Sequence, residues 1–165
     1  MLKRTLARAE KICREIEEAG CLMSAVIRER LNIEHNELFY VLMKLRQGGL
    51  VEPISFSRVV FWCTSRTAAE EVLAKLVEAL KKLLCGRAKY ATPGEALQLI
   101  AKDKEARSLF SRHMTLRPNP ATAQVIDALM QEAFGQPIRS SRSHVYYITC
   151  KKTASRQLQT SNTSL

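Results

Sequence analysis

Apolar residues in the first third of the chain recur at the spacing of amphipathic helices. They repeat every three to four positions over residues 6–16 and again over 34–47, which predicts a helix on each segment. A short helix between them is expected to start with Ser24 as its N-cap and to stop at Asn32, which suits a tight turn. The helix over 34–47 is expected to end at Gly48-Gly49, where a left-handed residue is needed.

Two strand-like segments follow the glycine pair. Residues 50–54 and 59–63 are rich in β-branched and aromatic side chains, and the short segment 55–58 joins them. Together with the helices before them, these segments give the order helix, short helix, turn, helix, strand, turn, strand.

The run Leu42-x-x-Leu45-x-x-Gly48-Gly49-Leu50-Val51-Glu52 resembles the end of the recognition helix and the first wing strand of winged helix-turn-helix DNA-binding proteins. The resemblance covers about residues 5–65 and implies that residues 1–65 form a winged helix-turn-helix domain. Because its glycines and apolar positions only build the scaffold, it indicates a fold and leaves the target open.

A long helix is predicted to open the second half of the chain. Residues 66–84 carry a wide apolar stripe, with Ser65 or Thr67 as the N-cap and Gly86 at the end. Part of the stripe also follows alternating steps of four and three, so the helix at 66–85 offers a seam for a homodimer. Packing within its own domain is favoured, because the stripe is broader than such a seam requires.

Further helices and one strand complete the second half. Thr92-Pro93-Gly94-Glu95 is typical of a capping box, and helical patterns follow it up to Phe134. Residues 143–150 predict a strand, whose partner is either 87–91 or the strand that holds Trp62. We therefore predict an α+β fold that is mainly helical, with a winged helix-turn-helix followed by a helical second half.

The domain boundaries follow from the same pattern. Residues 66–152 form a helical or α+β basic domain, and the polar segment 153–165 is expected to be a disordered tail. The second domain is either a second, degenerate winged helix or an extension that shares the first sheet, and both alternatives stay open.

The chain carries a large positive charge, most of it in the second half. Lys and Arg number 26 against 16 Asp and Glu, which gives a formal charge of +10 and an isoelectric point near 9.7. Up to Ser65 there are ten basic and eight acidic residues, a net +2, and from Arg66 onward sixteen and eight, a net +8. This surplus favours a polyanionic partner, and we expect DNA, double- or single-stranded.

The winged-helix resemblance implies that the start of the third helix meets the major groove. His35, Asn36 and Tyr40 could contact bases or phosphates there. Glu34 and Glu37 would stabilise the helix dipole but repel the DNA backbone. The candidates for phosphate contact in this half are basic residues on one expected docking face: Arg28, Arg30, Lys44, Arg46 and Arg58.

A second candidate site lies at Arg139-Ser140-Ser141-Arg142-Ser143-His144-Val145-Tyr146-Tyr147, which interleaves cations, hydroxyls and aromatic rings. Arg139 and Arg142 would neutralise phosphates, and an outward tyrosine would stack on an unpaired base. Since side chains alternate along a strand, only one of Tyr146 and Tyr147 can face outward. The alternative is a mobile basic loop before a core strand with half-buried tyrosines.

The pairs Leu109-Phe110 and Asn119-Pro120, with the arginine-rich turn into Val145-Tyr146-Tyr147-Ile148, resemble archaeal ThermoDBP-related single-stranded-DNA-binding proteins. This resemblance spans about residues 66–150. It implies an apolar cleft flanked by basic residues.

Motifs that would mark an enzyme are absent from the sequence. It contains no glycine-rich phosphate loop, no G-x-S-x-G, no H-E-x-x-H and no spaced acidic metal cluster. His35, His113 and His144 are well separated, and each is expected to be a surface or hydrogen-bonded residue. We expect no enzymatic activity, no cofactor and no metal site.

The cysteines and the apolar segments indicate the compartment. The five cysteines are far apart and form no C-x-x-C pair, which favours buried, reduced thiols without disulfides. Neither a signal peptide nor an apolar stretch of membrane-spanning length is present. We expect a cytoplasmic protein, nucleoid-associated if prokaryotic, with no membrane partner.

Three functions fit these patterns. The favoured one is a winged-helix DNA-binding protein that acts as a transcriptional regulator or chromosome-associated factor. The first alternative is a single-stranded-DNA-binding protein that uses a basic and aromatic cleft of the C-terminal half. The second is a protein–protein assembly module, which the near-neutral charge of residues 1–65 keeps open.

Overall fold

The computed structural model describes residues 3–138 and 143–150 of the chain. Its class is α+β and mainly helical, as the sequence predicts. The elements in chain order are α1 (Lys3–Ala19), β1 (Cys21–Met23), α2 (Ser24–Leu31), α3 (His35–Gln47), β2 (Glu52–Phe56), β3 (Val59–Cys63), α4 (Arg66–Leu84), β4 (Tyr90–Ala91), α5 (Pro93–Lys102), α6 (Lys104–Ser111), α7 (Pro120–Phe134) and β5 (Tyr146–Tyr147). In this part of the chain, no helix is long and apolar enough to cross a membrane.

A three-stranded antiparallel sheet organises the first half. Its strand order is β1-β3-β2, with β3 in the centre. The predicted hairpin is present, but its first strand is Glu52–Phe56 rather than 50–54, so that the turn is 57–58 rather than 55–58; Pro53 faces Trp62 across it. Strand β1 was missed by the sequence analysis because it has only three residues, all buried, with no alternation of polar and apolar positions to mark it.

The ends of α2 and α3 explain the geometry of the turns around them. Asn32 adopts the left-handed conformation with φ 50°, as expected for the turn between the two helices. After α3, Gly49 has φ 74°, a conformation that glycine adopts without steric cost. The predicted N-cap of α2 is wrong, because Met23 occupies the capping position and no side chain caps this helix.

Helix α4 is central to the second half. The Ser65 side chain caps it by accepting a hydrogen bond of 3.0 Å from the Ala68 backbone. Its apolar stripe packs mainly on α7 and α5 of the same chain, with Leu76, Leu80 and Leu84 buried. The predicted capping box opens α5, with both Thr92–Glu95 hydrogen bonds formed.

The second sheet joins the end of the described chain to the middle. Strand β5 pairs with β4 in antiparallel register, so the partner is the 87–91 segment, one of the two alternatives that the sequence left open. The strand, Tyr146–Tyr147, is shorter than the predicted 143–150. Beyond it, the Ile148 amide donates to the Lys89 carbonyl at 2.9 Å.

The two halves share one cluster of buried apolar side chains. Next to it, His113 links them through its backbone and its ring. Its carbonyl accepts a hydrogen bond of 2.9 Å from the Met23 amide, and its ring Nδ1 lies 3.0 Å from the Cys21 carbonyl oxygen. Strand β1 is therefore tied directly to the segment after α6.

Two disulfides contradict the expectation of reduced thiols. Cys21 in β1 is bonded to its register partner Cys63 in β3, and Cys85 at the end of α4 is bonded to Cys150. Cys13 is the unpaired cysteine. Spacing along the chain could not reveal these pairs, because each depends on a contact between elements distant in sequence. The cytoplasmic location stays a prediction.

Candidate nucleic-acid interface

One face of α3 carries several of the residues predicted to contact DNA. Asn36, Tyr40 and Lys44 are exposed at successive spacings of four residues, which places them along one side of the helix, and the exposed His35 directly precedes Asn36. Tyr40 is 49% exposed, and the Lys44 ammonium lies 5.6 Å from the centre of its ring. Phe39 is also exposed, at 54%, and adds an apolar ring that the sequence analysis missed.

The acidic residues at the start of α3 are not equivalent in the structure. Glu37 forms an ion pair with Arg8 of α1, so its charge is compensated within the protein. Glu34 occupies the N-cap position and is exposed. Of the two carboxylates predicted to repel a DNA backbone, one is therefore neutralised by a cation that the sequence did not connect with it.

Arg58 stands at the tip of the β2–β3 hairpin. Because Phe56 faces Val59, the turn has only two residues, and both take positive φ, 52° at Ser57 and 68° at Arg58. Two-residue hairpin turns of this kind favour Asn and Gly, so neither residue is the easiest choice for the backbone. The backbone of this turn is therefore strained at the two residues with positive φ, and the Arg58 side chain is exposed to solvent there.

A groove of about 430 Å³ separates α3 from this hairpin. It is mostly apolar, with one cation, and its lining includes Phe39, Met43, Arg46, Pro53, Val60 and Trp62. Arg46 thus faces the space between the helix and the hairpin, while Arg28 is exposed near the end of α2.

Arg30 does not belong to this face, which corrects the expectation that the basic residues act as one group. Its guanidinium pairs with Glu15 of α1 at 3.1 Å and donates to the Ser111 carbonyl at the end of α6, at 2.9 Å. The helical pattern predicted that Arg30 is exposed, but the position of α6 beside α2 was not visible in the sequence.

The second candidate site contains one exposed tyrosine and one buried tyrosine. Tyr147 is 45% exposed, whereas Tyr146 is fully buried. The prediction that Tyr146 contacts nucleic acid is wrong, since its ring packs in the core and its hydroxyl donates to Asp127 at 2.6 Å. Burial and the neighbouring Asp127 carboxylate raise the pKa of the Tyr146 hydroxyl, so it remains a neutral donor.

The ring of Tyr147 lies next to a second exposed tyrosine ring, that of Tyr90, which was predicted only to lie in the strand segment 87–91. Tyr90 lies directly opposite it in the sheet, is 48% exposed, and its ring centre is 5.7 Å away. The Lys89 ammonium lies 5.7 Å from the Tyr90 ring centre. These three side chains form a small cationic and aromatic surface, which we call the tyrosine platform. Arg139 and Arg142, predicted to flank it, lie outside the described residues.

His144 is hydrogen-bonded to a carboxylate within the protein. The His144 Nδ1 lies 2.8 Å from an Asp127 carboxylate oxygen, and the Tyr146 hydroxyl binds the same carboxylate. This cluster ties β5 to α7. Across residues 3–138 and 143–150, no three His, Cys, Asp or Glu side chains come together in a way that could hold a metal ion.

Comparisons with known proteins identify a solved structure with the same fold but no protein family. No protein-family model matches the chain. No curated protein is significantly similar to it in sequence. The crystal structure of the hypothetical protein PyrSV_gp04 from Pyrobaculum spherical virus superposes with a TM-score of 0.84 at 21% identity, over 92% of this chain and 100% of the viral one. At this identity, the likeness shows that the two chains share a fold.

Proposed function

We propose that this chain is a DNA-binding protein of the winged-helix type, acting as a transcriptional regulator or chromosome-associated factor. The observation that carries the proposal is the exposed face of α3, where hydrogen-bonding, aromatic and cationic side chains lie together, with the β2–β3 hairpin across a groove from the helix. The strand order β1-β3-β2 and the helices α1 to α3 support this proposal.

In this proposal, α3 enters the major groove and the hairpin contacts the backbone. An asparagine such as Asn36 can bind adenine through two hydrogen bonds, and an exposed ring such as that of Phe39 can contact a thymine methyl group. Lys44, Arg46 and Arg58 would contact phosphates, since they are exposed cations on α3 and on the turn of the hairpin.

Binding of a labelled duplex of 30 base pairs tests the proposal. We expect the variant with Lys44→Ala, Arg46→Ala and Arg58→Ala to lose three phosphate contacts. Each phosphate contact adds about 0.9 to the salt slope, which is the steepness with which log K falls as the logarithm of the salt concentration rises. Raising the salt from 50 to 200 mM should therefore weaken duplex binding by the wild type about 40-fold more than binding by the variant. Duplex binding by the variant with wild-type affinity and slope would exclude this face.

A control variant removes two cations elsewhere, one fewer than the α3 variant. Arg66 and Lys82 lie at opposite ends of α4, are exposed, and have no acidic partner within 4.0 Å in the described part of the chain. The double variant Arg66→Ala with Lys82→Ala should retain wild-type binding. If the control weakens binding as strongly as the α3 variant, net charge rather than the α3 face governs affinity.

The tyrosine platform supports a second candidate, single-stranded-DNA binding. This candidate rests on the exposed rings of Tyr90 and Tyr147, which lie side by side with the Lys89 ammonium close to the Tyr90 ring. Base stacking on an aromatic ring contributes about 1–3 kcal/mol, so Tyr147→Ala should weaken binding of a 20-nucleotide strand about 5-fold or more. Tyr147→Phe keeps the ring and should bind like the wild type. Equal binding by all three proteins would exclude stacking here.

A protein–protein module is the remaining outcome of these titrations. If neither duplex nor single strand binds at 50 mM salt, the phosphate contacts that both DNA proposals require are absent. The apolar groove between α3 and the hairpin would then be the surface to examine for a protein partner.

A further inference from the structure

A basic groove lies between α2 and α6, away from the face of α3 described above. It has a volume of about 760 Å³ and is lined by four cations from three segments of the chain. These are Arg30 of α2, Lys104 and Arg107 of α6, and Arg117 in the segment that precedes α7. We call it the α2–α6 groove. It shares no lining residue with the groove between α3 and the hairpin.

Helix α6 presents its polar face to this groove. Lys104, Arg107, Ser108 and Ser111 follow the helical spacing of three and four residues and all line it, while Ala106 and Phe110 of the same helix are buried. The opposite side of α6, through Glu105 and Leu109, lines a different pocket with Lys82. The cations of α6 are therefore segregated on one side rather than scattered around the helix.

Acidic residues near the groove compensate two of its four cations and leave the other two, both on α6, without an ion pair. Glu29 lines it and lies 3.9 Å from Arg117, and Arg30 is paired with Glu15. Lys104 and Arg107 have no carboxylate within 4.0 Å in the part of the chain that the structure describes. Two full positive charges on adjacent turns of one helix repel each other unless an anion lies between them.

Arg30 fixes the wall of the groove. Its hydrogen bond to the Ser111 carbonyl ties α2 to the end of α6, and its ion pair with Glu15 holds the other side of the guanidinium. The groove is therefore built on helices that are held together by named contacts. The helices that carry Arg30, Lys104 and Arg107 are thus positioned before a ligand binds, which lowers the entropy cost of binding.

We propose that the α2–α6 groove binds the phosphodiester backbone of a nucleic acid. Arginine guanidinium groups bind phosphate oxygens through paired hydrogen bonds, and a serine hydroxyl such as that of Ser108 donates to the same oxygens. The four cations are spread over three segments and a volume far larger than one phosphate, which favours several phosphates in a row over a single one. This gives the protein a second nucleic-acid surface, independent of the α3 face.

The test is the salt dependence of oligonucleotide binding by the full chain. Lys104→Ala with Arg107→Ala removes two phosphate contacts, so raising the salt from 50 to 200 mM should weaken duplex binding by the wild type about 12-fold more than by the variant. The control is Arg66→Ala with Lys82→Ala, which removes the same charge from α4. A variant with the wild-type slope, or a control that loses as much slope, overturns the proposal.

Two further arms distinguish the source of the negative charge. Inorganic phosphate added at constant ionic strength should not displace the oligonucleotide. Because screening by salt is then unchanged, displacement by about 1 mM phosphate or less would mean that the groove binds free phosphate. A 20-residue polyglutamate should bind more weakly than the oligonucleotide. Equal binding that depends equally on Lys104 and Arg107 would assign the groove to an acidic protein segment.

The outcome is separable from that of the proposed function. If the α6 variant (Lys104→Ala with Arg107→Ala) has a smaller salt slope than the wild type while the α3 variant keeps the wild-type slope, the groove is supported and the α3 face is overturned as the binding surface. The reverse pattern overturns the groove alone.

Discussion

The buried ring of His113 predicts how the stability of the fold depends on pH. The residue is only 4% exposed, and its Nδ1 must donate to the Cys21 carbonyl, because a carbonyl oxygen only accepts. Burial lowers the pKa of His113 most, and the nearby cations Arg112, Lys75 and Arg30 lower it further, against the backbone hydrogen bond that raises it. The folded protein therefore holds this ring neutral.

The sign of the effect follows from proton uptake. In the unfolded chain, His113 titrates near its ordinary pKa of 6.5, whereas in the folded chain it titrates lower. Below pH 6.5 the unfolded state binds more protons, so stability is complete above this pH and is lost as the pH falls towards the folded pKa. Between pH 6.5 and 5.5, the loss from this group is up to about 1 kcal/mol.

Urea unfolding at pH 7.5, 6.5 and 5.5, with the disulfides intact, measures this loss. His113→Asn is the matched variant, since its amide can donate to the Cys21 carbonyl but does not titrate. His35 and His144 are present in both proteins, so their contributions cancel in the difference. If wild type and variant lose the same free energy between pH 6.5 and 5.5, the reasoning is refuted. An NMR titration of the wild-type ring gives its pKa even if the variant does not fold.

Four other substitutions test the packing, the covalent links and the charge of the site. Leu80→Ala, in the buried stripe of α4, should cost about 2–5 kcal/mol of unfolding free energy in urea. Thr92→Ala removes the cap of α5 and should cost about 1 kcal/mol in the same assay. Cys150→Ser opens a link between residues 65 positions apart and should cost about 4 kcal/mol, seen as a lower unfolding midpoint without reductant. Glu34→Gln removes the uncompensated carboxylate at the start of α3 and should raise duplex affinity by up to about 5-fold in a fluorescence titration. A loss below about 0.5 kcal/mol in the first three, or unchanged affinity in the last, would contradict the corresponding contact.

The parts of the fold that depend on local pattern were predictable. The stripe of α4, the capping box at Thr92 and the turn at Asn32 each follow from residues within a few positions of one another. Strand β1 and the two disulfides were not predictable, because each depends on a contact between residues distant in sequence. Strand β1 pairs with β3, and the bonded cysteines are 42 positions apart in the first disulfide and 65 in the second. A missed three-residue strand was enough to hide the partner of Cys21.

The candidate site divides in the same way. Alternation along a strand predicts that only one of Tyr146 and Tyr147 faces outward, but the choice is made by Asp127 on α7, which binds the Tyr146 hydroxyl. Helical spacing placed Lys44 and Tyr40 on one side of α3. It could not show that Arg30 turns towards α6, because that contact joins residues 81 positions apart.

The two covalent cross-links lie one after the other along the chain and do not interlock. The first closes between positions 21 and 63, and the second opens only at position 85. During synthesis from the N-terminus, the first ring of chain can therefore be oxidised before either sulfur of the second has left the ribosome. Where the first bond closes at that stage, the thiol that competes for Cys21 and Cys63 is that of Cys13.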